Sequence, residues 1–154
     1  MGVDFEYFAC DSALQAWAAE GFVDGPLAGE WPFDGFRTRG YDPSLVEAFG
    51  VQLTGQSWKA WKSDPRWDQT APTESDDESA PVVLALTDRL RDALAGSAAE
   101  NLRVHIGPWV SDNLAGWGWQ DVSADDHLSF LFQLQALATR ARHRRQGLYC
   151  YWRE

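Results

Sequence analysis

Cysteine is scarce in this 154-residue chain, which has two, and so is lysine, which supplies two of the thirteen basic residues against eleven arginines. Cys10 and Cys150 stand at opposite ends, and the three histidines, at 105, 127 and 143, are scattered. A metal site needs several ligands converging at short spacing, so no metal is expected. Two distant thiols in a reducing compartment are expected to be free and buried. No C-x-x-C, H-E-x-x-H, nucleophile elbow or glycine-rich phosphate loop occurs, so no cofactor is expected and catalysis has little footing. Long apolar runs are missing too. Asp4 and Glu6 interrupt the N-terminus, so neither signal peptide nor membrane span is expected, and the cytoplasm is the default compartment. Positive charge is short overall: a formal net charge of −10 repels phosphate backbones and anionic lipid. That leaves a protein or a small molecule as the expected partner, not nucleic acid or membrane. The preponderance of Arg over Lys points weakly to a GC-rich bacterial genome.

What the chain has in excess is aromatic residues: nine Trp, eight Phe and four Tyr. The length suits one domain. Val3, Phe5 and Tyr7 alternate with Asp4 and Glu6, which predicts a strand over 3–8, with Phe8 asking for cover on the second face. Ser12 with Gln15 three residues on starts a short helix that stops at Gly21. Residues 21–41, with five Gly and two Pro among Phe and Trp, read as a long packed loop. Asp42 and Pro43 open a second helix carrying Leu45, Val46, Phe49 and Leu53, closed by Gly55. Residues 69–81, "QTAPTESDDESAP", are acidic and proline-bounded and read as a mobile loop inside the domain. An apolar strand over 82–86 runs into a helix capped by Thr87 or Asp88. The stretch "SAAENLRVHIGPW" fits either state, since Leu102, Val104 and Ile106 alternate like a strand while its lead-in favours helix. Ser123 with Asp126 caps a long last helix lined by Phe130, Leu131, Leu134, Leu137, Ala138 and Ala141. Gly147 ends it, and "LYCYW" (148–152) reads as a buried strand. The expected fold is a single α+β domain over 1–154: a small mixed sheet holding both terminal strands, packed by the long C-terminal helix and several short ones.

Two aromatic clusters are the candidate sites. "SWKAWKSDPRWDQ" (57–69) places Trp58 and Trp61 on one helix face with Lys62 one turn on, and Asp64–Pro65 turns the chain toward Trp67. Core packing is the stronger expectation for these rings, because burying an indole outweighs an exposed cation–π pair of about 0.5–1 kcal/mol. The basic groups of Lys59, Lys62 and Arg66 are then expected to reach solvent along the flanks. "GPWVSDNLAGWGWQD" (107–121) gathers Ser111, Asp112 and Asn113 among Trp109, Trp117 and Trp119, the composition of a small-molecule pocket or of a packed irregular loop. The expected cleft lies between the clusters, lined by Trp58, Lys62, Trp67, Trp109, Ser111, Asp112, Asn113, Trp117 and Trp119. Asp112 with His105 or His127 could form an acid–base pair, although no spacing requires it. "RARHRR" (140–145) complements a helix C-terminal dipole, or docks an acidic partner.

The stretches "FEYF", "GYDPSLVEAF", "DPRW", "VVLALTDRLRDAL", "PWVSDNLAGWG" and "LATRARHRRQGLYCYW" resemble, in that order, small actinobacterial proteins of unknown function. The helix-then-strand ending resembles, more loosely, the YfbM-like group of bacterial proteins. The resemblance implies a single α+β domain and no activity. Members of the resembled family carry acidic residues after the Pro-Trp, where this chain has Ser111, Asp112 and Asn113, and that departure counts against carboxylate catalysis. A non-catalytic binding or interaction module is therefore the leading expectation, with a small-molecule hydrolase using Asp112 as the alternative.

Overall fold

A computed structural model describes residues 3–72, 76–114 and 122–154. Trp117 and Trp119 of the second cluster, and part of the acidic stretch, lie outside the described residues. Four strands form one sheet: β1 (Asp4–Cys10), β2 (Asp34–Arg39), β3 (Val82–Ala85) and β4 (Gly147–Trp152), in the order β2-β1-β4-β3. Both terminal strands are central neighbours, and every pairing is antiparallel where a mixed sheet was expected. In register, Tyr7 stands opposite Phe36 on one side and Cys150 on the other. Phe5, Tyr7, Ala9, Leu148 and Cys150 therefore point to one face, and Glu6, Phe8, Cys10, Tyr149 and Tyr151 to the other. The two thiols are buried, free and on opposite faces, so they cannot bond each other.

β2 lies inside the stretch read from sequence as loop. "DGFRTR" has one large apolar side chain, and as an edge strand it needs no alternating apolar pattern to be held. Gly35 is required there, since a Cβ would collide with the Tyr7 carbonyl oxygen.

The helices are α1 (Ala13–Ala18), α2 (Pro43–Thr54), α3 (Trp58–Trp61), α4 (Asp88–Gly96), α5 (Ala99–Trp109) and α6 (Ala124–His143). Their starts follow local chemistry: Ser12, Asp42, Thr87 and Ser123 each accept a hydrogen bond from a backbone N–H three residues on. The ambiguous stretch is helix α5. Leu102, Ile106 and Trp109 are buried at helical spacing while Val104 is 61% exposed, so the apparent alternation carried no burial. α6 crosses β1, β2 and β4, and with α2, α4 and α5 it encloses the main core on one sheet face. α1, the following turn and residues 22–33 cover the other face around Phe8, Tyr149 and Tyr151. Gln69–Ala71 do not belong to the acidic loop: Ala71 N–H donates to Val83 O (3.0 Å), Ala85 N–H donates to Gln69 O (2.8 Å), and Ala71 is buried.

A carboxylate sits inside the main core. Glu47 on α2 is 4% exposed and accepts three hydrogen bonds, from Trp61 Nε1–H (2.6 Å), Thr87 N–H (2.8 Å) and Thr87 Oγ1–H (2.8 Å). Thr87 Oγ1 also caps α4 by accepting from Leu90 N–H, so Glu47 ties α2, α3 and the β3–α4 junction together. Burial raises the Glu47 carboxyl above its ordinary value, against the pull of those donors. In the window from about 4.3 up to that raised value, the folded state keeps a proton the unfolded chain has lost. By linkage, stability falls as pH rises through this window. Glu47→Gln cannot ionise and loses that slope. Urea midpoints of the two proteins across pH 4–8 should converge as pH rises; parallel curves would show that Glu47 ionises alike in both states.

Candidate functional site

The 57–69 cluster divides between core and surface. Ser57 caps α3 by accepting from Ala60 N–H, and one turn later Trp61 is fully buried with its ring edge 2.5 Å from where a Cβ on Gly50 would stand. Only glycine at position 50 lets α2 approach that indole so closely. Trp58 is 40% exposed and meets Trp67 edge to face at 5.8 Å, and Lys62 Nζ lies 5.7 and 5.8 Å from the two ring centroids. Arg66 departs from expectation, because its charge is consumed internally. Its guanidinium donates to Leu86 O (2.9 Å), Leu148 O (2.9 Å) and Tyr149 OH (3.2 Å), and lies 4.7 Å from the Tyr149 ring centroid.

Among its described residues, the second cluster contributes a core ring and a short exposed turn. Trp109 is fully buried; its Nε1–H donates to Leu45 O (2.9 Å), and its ring packs on Tyr41, Phe49 and His127. Ser111 and Asp112 are exposed on the wide turn Val110–Leu114, and Asn113 Nδ2–H donates back to Trp109 O (3.2 Å). At 100° per residue, Leu45 and Phe49 lie across α2 from Glu47 and Gly50, so α2 stands between Trp109 and Trp61. Trp61 and Trp109, the buried ring of each cluster, therefore lie on opposite sides of α2. Trp109 in particular is a core ring, because three neighbouring aromatic groups and a backbone acceptor claim all its sides.

The acid–base alternative fares similarly. His127 Nδ1 lies 2.7 Å from Tyr41 OH, with both groups buried. Burial lowers the His127 pKa, and burial with Asp126 pushes Tyr41 up to about 12, so both are neutral near pH 7. His105 lies on α5 and Asp112 on the exposed turn, and among the described residues no hydrogen bond joins Asp112 to either histidine. Nor, among the described residues, does any group of three His, Cys, Asp or Glu side chains converge as metal ligands.

A concave, aromatic feature of the described residues lies elsewhere. Residues 21–31 form an open concavity of about 450 Å³, lined by Phe22, Val23, Asp24, Gly25, Glu30 and Trp31 among others. Trp31 is 86% exposed, Val23 83% and Phe22 37%. The segment is nevertheless anchored: Phe33 N–H donates to Pro26 O (3.0 Å), and Phe22 stacks on Phe33, Phe33 on Phe8 and Phe8 on Tyr149. Beneath it sits Glu6 of β1, its side chain 5% exposed, with Oε1 accepting from Arg37 at 2.8 Å. Glu6 Oε2 is buried without a hydrogen-bond partner. Gly25 covers that oxygen at a positive φ of 84°, and any Cβ there would collide with it. Sequence reading took this segment as packed and found no site in it. The legible signal was its mixture of glycine with aromatic residues, which has no period to say which rings face out.

Comparison of the chain with protein-family models, with curated proteins and with solved structures returned no match, so the likeness to actinobacterial and YfbM-like proteins rests on the quoted stretches alone.

Proposed function

We propose that this chain is a non-catalytic binding protein of the cytoplasm that engages another protein through the aromatic face of residues 21–31. The observation that carries the reading is the exposure of Trp31, at 86%, beside Val23 and Phe22 on a segment held by stacked rings. A solvated indole contributes nothing to folding, whereas buried Trp is among the most frequent energetic anchors of protein interfaces. The anchoring ladder supplies the preorganisation that lowers the cost of ordering a contact surface. Two unpaired thiols suit a reducing compartment, and the net charge of −10 disfavours nucleic acid. Among the described residues no helix is long and apolar enough to cross a membrane.

Peptides selected from a random display library on the full-length chain test this reading. They should be retained by the wild type and lost by the Val23→Ser/Trp31→Ser double variant, whose melting temperature should fall by no more than about 2–4 °C, the shift for about 1 kcal/mol. Selected peptides that bind the double variant as tightly as the wild type would place the binding surface elsewhere.

A further inference from the structure

We propose that the concavity of residues 21–31 is a docking site for an arginine side chain presented by another protein, received by Asp24 and Glu30 against the exposed ring of Trp31. This rests on the reading of that face as the binding surface and supplies the chemistry of its partner.

The charge of the site is of one sign. Asp24 and Glu30 line it, and no basic residue does. Under its floor Glu6 is paired with Arg37 at 2.8 Å, so Asp24 and Glu30 are the carboxylates that face the concavity. The site is thus built to attract a cation, in a molecule whose net charge already favours one.

The aromatic component narrows which cation. A guanidinium is planar, weakly hydrated, stacks on indole and offers paired N–H groups to carboxylates, whereas an ammonium is compact and holds its water. The chain's own arginines show both modes: Arg140 binds Asp34 through two nitrogens at 2.8 and 3.0 Å, and Arg66 lies over Tyr149. The apolar rim narrows the source. Val23 and Trp31 would stay in water around a small free cation, whereas the flanking residues of a polypeptide would cover them.

The test is an NMR titration of the full-length, isotopically labelled chain with acetyl-Ala-Phe-Arg-Phe-Ala-amide, beside counterparts carrying citrulline or lysine in place of arginine. The amides of 22–31 and the Trp31 indole N–H should shift saturably with the arginine peptide. Citrulline should bind at least about tenfold more weakly, lysine severalfold more weakly, and added salt should weaken the arginine complex. The Asp24→Asn/Glu30→Gln variant should lose about tenfold in affinity with its melting temperature unchanged. Equal binding of arginine and citrulline, equal binding of arginine and lysine, an unaffected double variant, or no saturable shift each overturns the arginine assignment. Binding that ignores charge yet disappears in Trp31→Ser overturns the assignment and leaves the binding face standing. Shifts that spare residues 22–31 overturn both.

Discussion

Trp61→Ala should destabilise the domain by about 3–5 kcal/mol, the range for deleting a buried Trp or Phe side chain. Three losses coincide at this residue. The ring is fully buried against α2, where Gly50 exists to admit it, so truncation leaves a hole that a helix backbone cannot close. The indole N–H is one of three donors on buried Glu47, so its removal leaves a core carboxylate less well matched. α3 is a four-residue helix with little stability of its own, and Trp61 is its buried residue. Against a typical total of about 5–15 kcal/mol, the loss should be visible in any denaturant titration. Trp61→Phe separates the contributions, keeping most of the ring while removing the donor, and should cost clearly less. A Trp61→Ala protein with an unchanged urea midpoint would show that the indole is dispensable to the core.

Trp109→Ala should have an effect of the same size, about 3–5 kcal/mol, for a different reason. Trp109 joins helices: it sits at the end of α5, donates to a carbonyl of α2, and packs on Tyr41, Phe49 and His127. Tyr41 in turn stacks face to face on Phe130 of α6, with ring centroids 3.9 Å apart. Removing the indole therefore loosens the place where α2, α5 and α6 meet over the sheet. A pocket-lining Trp109 would behave otherwise, with stability near that of the wild type and a loss of ligand only. Thermal melts of Trp109→Ala beside Trp31→Ala should show a fall of several degrees for the first and little change for the second. The reverse order would exchange the roles of core and surface assigned to these two rings.

Local chemistry was the legible part of this sequence. Ser12, Asp42, Thr87 and Ser123 cap helices because a cap needs only its own backbone three residues on, and such signals survive without tertiary knowledge. The terminal strands were legible because apolar ends as rich as "DFEYFAC" and "GLYCYW" need cover. β2 was hidden because an edge strand can be held by pairing alone, and α5 was blurred by an exposed Val104 that imitated alternation. The site was illegible for a related reason. Whether a given Trp packs or projects depends on partners far along the chain, such as Glu47 for Trp61 and Leu45 for Trp109. Composition could say that the rings were numerous, and not which of them the fold would leave over. Glu6 shows the same limit: Phe8 asked for cover on its face of the strand, but nothing local said that Glu6 itself would be buried, at 3% exposure, with Gly25 over it.

The central claim is that the binding face is the loop of residues 21–31 and that Trp61 and Trp109 serve to fold the domain. Hydrogen–deuterium exchange of the full-length chain, with and without a saturating display-selected peptide, addresses it most directly. Protection should appear in peptide fragments covering 22–31 and leave those covering 57–69 and 102–114 unchanged. Protection concentrated at 57–69 or 102–114, with 22–31 exchanging as in the free protein, would contradict it.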